Sequence, residues 1–167
     1  MKKILLCITL GCFTGFLPAQ SVALDPDFGS NGKLITGVYG NNGNAYSIDI
    51  AGLSDGKIFV GGSINGTVGL EKYDDTGVLD TKFSQSFVES DGPEIGVCIQ
   101  KDGKVLLVGE NPVGLTTFVM RVDTLGILDP GFGIGGIAQT HVSHFFIRNI
   151  FEQSDGKIIV FGDECGS

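Results

Sequence analysis

One glycine-punctuated phrase written three times, an unbroken apolar run after each copy, and heavy glycine use predict an all-β chain. They point to about three antiparallel, blade-like repeats of ~50 residues, an incomplete β-propeller. The phrase is SDGKIFVGG at residues 54–62, KDGKVLLVGE from Lys101 and SDGKIIVFGD from Ser154. Its aspartates, Asp55, Asp102 and Asp155, stand 47 and 53 residues apart. Glycine fills 27 of 167 positions, about 16% against a usual ~7%, with neither a G-X-Y period nor proline enrichment. Collagen is therefore excluded, and a chain that turns often is expected.

Two further phrases recur in register with the first. LDPDFG from Leu24, LDTKFS from Leu79 and LDPGFG from Leu128 form one set. LEKYDDTGVLD from Leu70 and VMRVDTLGILD from Val119 form the other, so that Lys72 meets Arg121, Asp74 meets Asp123 and Gly77 meets Gly126.

Each unit reads as four strands. The segment before DGK alternates, with Ile48 and Ile50 in the first copy and Ile95, Val97 and Ile99 in the second. Asp-Gly then supplies the positive-φ pair of a tight hairpin. The next strand, at residues 58–60, 105–108 and 158–161, is apolar without alternation, which requires cover on both faces. A third strand is expected at 68–73 and 118–122, ending in the turns DDTG and DTLG, with the LD phrase as a short fourth strand. An irregular β-sandwich would also cover one face of each sheet but would not demand the repeat.

The N-terminal residues read as an export signal. Lys2 and Lys3 precede an apolar run at residues 4–17, then Pro18 and AQSVA, with Ser21 and Ala23 as the small pair. The run is too short to span a membrane as a helix of about 20 residues. Cleavage after Ala23 leaves 144 of the 167 residues; lipidation at Cys12 is the alternative, with Thr9 where such signals carry Leu. The expected organisation is a signal at 1–23, an outer strand at 24–40, repeat one at 41–88, repeat two at 89–140 and a truncated repeat three at 141–167. On that count the mature chain does not close a ring by itself, and uncovered edges would invite self-association.

These residues resemble the delta-60 repeat family of bacterial secreted or surface proteins. Gln153, Asp155, Gly156, Lys157, Ile158 and Gly162 match the first part of its pattern. Lys72, Tyr73, Asp74, Gly77, Leu79, Asp80 and Phe83 match the second, as do Arg121, Asp123, Gly126, Leu128, Asp129, Phe132 and Gly133. Leu53 stands where the pattern has Gln, and Ser84 replaces the glycine after Phe83. The resemblance covers essentially the whole mature chain. It implies a propeller-like fold and export, and it brings no catalytic residues.

The chain carries 11 basic and 19 acidic residues, a net of −8 that becomes −10 once Lys2 and Lys3 are removed. Neither nucleic acid nor an anionic membrane surface attracts such a protein. Cys98 reads as a buried thiol in an apolar run, Cys165 as a mobile terminal one, and their pairing stays open.

Several motifs tempt a chemical reading. Asp25 with Asp27, and Asp74 with Asp75, could supply oxygen ligands to calcium, yet the spaced loop with a glutamate at its twelfth position is absent. Aspartate also favours turns. His141 and His144 lack a third metal ligand nearby. Gly52, Ser54 and Gly56 spell G-x-S-x-G, but between two strands rather than at a strand-to-helix elbow. Gly131, Gly133 and Gly136 fit G-x-G-x-x-G, but IAQTHVSHFF after them is strand-like. Lys72 and Arg121 recur at one position, which suits a stem packed along a strand with its head near an aspartate. No catalytic, cofactor-binding or metal residue is assigned, and no cofactor is expected.

The sequence leads to an exported, non-catalytic repeat scaffold that binds a protein or glycan outside the cytoplasm: secreted, at the cell surface or in the periplasm. The alternatives are a piece of a larger secreted propeller without separate activity, or of a propeller enzyme acting on glycans. A glycan hydrolase needs paired carboxylates in one site, whereas a binding rim needs exposed aromatics, of which Tyr39 and Tyr46 lie near a candidate loop.

Overall fold

The computed structural model describes residues 23–34, 45–64, 67–83, 85–89, 95–111, 116–140 and 145–164. Among these residues the protein is all-β, without a helix, and so no helix is long and apolar enough to cross a membrane. Among the described residues, ten strands form three antiparallel sheets, none closed into a barrel.

Sheet one is a meander of β1 (Ala45–Gly52), β2 (Ile58–Ile64), β3 (Thr67–Tyr73) and β4 (Gln85–Glu89). Sheet two repeats that order with β5 (Gly96–Ile99), β6 (Val105–Asn111), β7 (Thr116–Val122) and β8 (Ile137–Gln139). Sheet three is the hairpin of β9 (Phe145–Glu152) and β10 (Ile158–Glu164). The sheets approach one another through their first strands, β1 against β5 and β5 against β9.

Each DGK lies in the turn of a hairpin, but the turn differs from the expected one. Leu53, Gln100 and Gln153 each donate N–H to the carbonyl of Lys57, Lys104 and Lys157, at 2.7, 2.8 and 2.8 Å. Only the glycine is left-handed, with φ of 91° at Gly56, 84° at Gly103 and 83° at Gly156. The aspartate keeps an ordinary negative φ, so this is a three-residue loop closed by a glycine rather than a two-residue positive-φ pair. The aspartate side chain instead accepts the following lysine's N–H, which stiffens the loop.

The LD phrases are turns, not fourth strands. Leu79 and Leu128 make one antiparallel bridge each, to Tyr73 and Val122. The next carboxylate then bends the chain: Asp80 Oδ1 accepts Lys82 N–H at 3.1 Å, and Asp129 Oδ1 accepts Gly131 N–H at 2.9 Å. The true fourth strands, β4 and β8, come after this bend.

The same correction applies to the expected outer strand at 24–40. Residues 24–34 form a turn, and the remainder lies outside the described residues. That turn copies the loop at 128–138 bond for bond. Gly32 N–H donates to Phe28 and Gly136 N–H to Phe132, both at 2.9 Å; Ser30 N–H donates to Lys33 at 2.7 Å and Ile134 N–H to Ile137 at 2.8 Å. It docks on sheet one through Gly29 N–H to the Thr76 carbonyl, 2.8 Å.

The middle strand β6 holds the core together. Val105 and Leu107 join one cluster with Phe59, Val68, Leu70 and Phe83 of sheet one. Leu106 and Val108 face the other way, into a cluster with Ile147 and Ile150 of β9. All four are essentially sealed from water. β2 is sealed at Phe59 and Val60, whereas Ile158, Ile159 and Val160 of β10 are half-buried and Phe161 is 51% exposed. The alternation expected in β1 also shifts. The register is irregular between Tyr46 and Asp49, so Ile50 is exposed, Ala51 packs on the core, and Asp49 accepts Val97 N–H from sheet two at 2.7 Å. Close approach explains the shortness of one residue here: a Cβ on Gly61 would lie 2.4 Å from the Val97 methyl.

A carboxylate at position 106 would have no partner and no water. Leu106→Asp should therefore cost several kcal/mol, enough to unfold a marginally stable domain. Phe161→Asp, at an exposed site on β10, should leave the denaturant midpoint within a small shift. Urea titrations followed by circular dichroism check both, and a well-folded Leu106→Asp protein would contradict the two-sided burial of β6.

Candidate functional site

The sheet topology gathers two kinds of turn at one end of sheets one and two. Ile58 pairs with Tyr73 and Val105 with Val122, so the DGK turn entering the middle strand lies beside the turn leaving the third. The latter turns, at Asp74 and Asp123, are built alike. Asp74 Oδ1 accepts the N–H groups of Thr76 and Val78 at 2.9 and 2.8 Å, and Asp123 Oδ1 those of Leu125 and Ile127, both at 2.9 Å. These backbone donors, Val78 foremost, hold the Asp74 carboxyl below the usual carboxylate range. The carboxylates considered for calcium thus have turn amides as partners; Asp25 likewise accepts Asp27 N–H at 3.0 Å. Asp75 stays exposed, and among the described residues no group of three potential ligands gathers for a metal.

The resulting rim mixes charge with exposed apolar side chains. Lys57, Lys101 and Lys157 stand on the DGK turns, while Val78, Leu125 and Ile127 project from the neighbouring turns at 61–65% exposure. Ser54 sits on the same rim, exposed, inside a strand–turn–strand hairpin. Across the rim, Glu152 of β9 binds sheet two, accepting Gln100 Nε2–H at 3.0 Å and Lys101 N–H at 2.9 Å. Lys101 Nζ in turn reaches the Ser154 carbonyl at 2.7 Å.

Lys72 and Arg121 take one role in two sheets. Lys72 Nζ lies 3.8 Å from Asp80 and 5.4 Å from the Phe83 ring centre. Arg121 Nε donates to Asp129 at 2.9 Å, and its guanidinium carbon stands 4.6 Å from the Phe132 ring centre. Each cation bridges the third strand to the carboxylate and ring of the LD turn, by charge on one side and by the ring's quadrupole on the other. Asp129 also meets Lys104 Nζ at 3.0 Å, and that contact is the chief reason its carboxyl titrates low.

Gly133 and Gly136 are left-handed, with φ of 54° and 95°, and a Cβ on Gly133 would meet the Ile137 carbonyl at 2.1 Å. Together with Gly131 they shape a loop that runs into β8, with no helix to hold a phosphate. Cys98 is a free, half-buried thiol whose acidity burial suppresses. His141, His144, Tyr39 and Cys165, and the side chain of Tyr46, lie outside the described residues.

One buried carboxylate escaped the sequence reading. Glu71 in β3 is 2% exposed and accepts the Tyr73 hydroxyl proton. Burial raises its carboxyl above the usual range, and the tyrosine offsets this in part. The repeat alignment held the signal, for Glu71 occupies the position of the core residue Met120.

Comparison with protein-family models, with curated proteins and with solved structures brings no match to this chain.

Because the folded state holds the Glu71 proton more tightly than the unfolded chain, this group favours folding at acid pH. That contribution fades as pH rises through the raised folded value. Glu71→Gln should accordingly melt higher than the parent at pH 7, by about 2 to 4 °C for roughly 1 kcal/mol, with the gap closing toward pH 4. Melting curves across that range check the sign; a parent more stable than the variant at pH 7 would contradict it.

Proposed function

We propose that the chain is an exported, non-catalytic β-propeller repeat scaffold that binds a protein or glycan outside the cytoplasm. The observation that carries the reading is the rim, where neighbouring sheets bring their paired turns to one end and present Val78, Leu125 and Ile127 beside lysines. A surface of this kind offers apolar contact flanked by charge, which suits a macromolecular ligand. Two meanders of one strand order, followed by a hairpin in the same phase, support reading the sheets as blades. The resemblance to delta-60 repeats supports the same fold and an extracytoplasmic address. The recurring polar residues favour a scaffold over an enzyme, since Asp74, Asp80, Asp123 and Asp129 each bind a turn amide or a cation of their own unit.

Two measurements test the reading. N-terminal sequencing of the protein recovered outside the cytoplasm should begin at Leu24; a start at Met1 or at a lipidated Cys12 would contradict it. The purified protein should then be retained on one member of an array of cell-surface glycans and proteins. The double change Leu125→Ser with Ile127→Ser should weaken that retention about tenfold, near 1.4 kcal/mol, without moving the melting temperature. Unchanged retention would remove the rim from the account, and turnover of an arrayed glycan would make the protein an enzyme.

A further inference from the structure

We propose, resting on the scaffold reading, that the rim of sheets one and two docks a basic segment of a protein partner. The segment would set Lys or Arg on the turns of sheet one and large apolar side chains on those of sheet two. The turns that leave the third strands, DDTGV at residues 74–78 and DTLGI at 123–127, are closed by the same aspartate bonds but expose different side chains. Asp75 stands where sheet two has Thr124, Thr76 where it has Leu125, and Val78 where it has Ile127; all six are exposed. The core asks for none of them, so folding alone does not account for an acid on one turn and two large aliphatic side chains on the other.

Charge decides what sheet one can receive. Lys57 pairs with Asp55, Lys104 with Asp102 and Asp129, and the Lys101 ammonium rests on the Ser154 carbonyl at 2.7 Å. The rim lysines are thus committed to partners of their own. Asp75 enters none of these ion pairs, although it stands against the DGK turn, where a Cβ on Gly56 would lie 2.8 Å from the Asp75 Cβ. Lys57 holds its proton more tightly than usual, through Asp55 first and through Asp75 and Asp74 besides. The turns at 53–57 and 74–78 carry three carboxylates against one ammonium, whereas those at 100–104 and 123–127 balance two against two.

A cation therefore belongs on sheet one and an apolar group on sheet two. Asp49 and Val97, joined across the junction, stand six and five residues before Asp55 and Asp102, so both sets of turns leave the stack at one end. Stacked sheets lie about 10 Å apart and a strand rises roughly 3.3 Å per residue, which sets the two groups about three residues apart in an extended segment.

Other occupants fit less well. These four turns hold no aromatic side chain on which a sugar ring could stack. A second copy of the chain brings a net charge of −10 once Lys2 and Lys3 are removed, and is repelled. The undescribed residues beyond Leu24, at 35–44, 65–66, 84, 90–94, 112–115, 141–144 and 165–167, contain neither Lys nor Arg. Sheets one and two each carry both of their turns, so the surface is whole within residues 53–127.

The test uses the full mature chain and fluorescently labelled peptides, read by anisotropy at low salt. KRTTIFLT, with Arg three residues ahead of Ile, should bind saturably, and DETTIFLT and KRTTSTST roughly tenfold more weakly or worse. Raising the salt to about 0.5 M should weaken KRTTIFLT toward the level of DETTIFLT, because screening then acts within a few Å. Asp75→Thr, which copies the residue that repeat two carries there, should weaken KRTTIFLT about threefold. Asp163→Asn removes the same charge at the far end of β10 and should leave the binding unchanged. Equal binding of KRTTIFLT and DETTIFLT, or no binding of KRTTIFLT to the parent chain, would overturn the proposal. Retention on an arrayed glycan that excess KRTTIFLT fails to displace would overturn it too. The rim itself stands or falls by the effect of Leu125→Ser with Ile127→Ser on the arrayed ligand, so the two readings fail separately.

Discussion

The structure depends on burying a β-strand from both sides. Val105, Leu106, Leu107 and Val108 form an unbroken apolar run, and an isolated sheet can hide only half of it. Sheet one takes Val105 and Leu107, and sheet three takes Leu106 and Val108. The strand therefore requires stacking, which in turn limits the rest of the architecture. The sheets must lie face to face, and small residues must stand where first strands press on middle ones, as Gly61 does beneath Val97. Polar contacts between sheets include a part-buried one, Val97 N–H to Asp49 beside the core, and an exposed one, Lys101 N–H to Glu152 on the rim.

The repeated polar residues serve that stack from within each unit. A third strand that ended freely would let the chain wander before the fourth. Instead the Asp74 and Asp123 turns fold it back, and a cation at Lys72 or Arg121 holds the LD turn by carboxylate and ring together. The pairing is unequal in the two sheets. Arg121 makes a direct hydrogen bond to Asp129, with Lys104 on the same carboxylate, whereas Lys72 approaches Asp80 as a point charge while lying over the packed pair of rings of Phe59 and Phe83. Arginine's planar fork suits the first geometry and lysine's compact head the second.

Much of this was readable from residue order, because hairpin turns and apolar runs are local signals. The DGK turns, the middle strands and the cation–aspartate pairs stand where the repeats put them. Three features did not follow. Asp-Gly suggested a two-residue turn, but hydrogen bonding by the aspartate side chain left the glycine alone in the left-handed region. LD with its trailing phenylalanine looked like strand, since β-propensity ignores the bend that Asp80 and Asp129 impose by binding amides two residues on. The exposure of Ile50 came from an irregular register in β1, which no alternation pattern encodes. The rim was harder still: it arises only when Ile58 and Tyr73, far apart in sequence as turns are counted, meet across a sheet.

The central claim is that one sequence pattern is sealed or open according to what stacks on it. Native-state amide hydrogen exchange compares the two cases within a single molecule, at residues 105–108 in β6 and 158–161 in β10. The account predicts that the β6 amides exchange only through global unfolding, and that the β10 amides exchange at least tenfold faster through local opening. Equal protection of the two segments would contradict it.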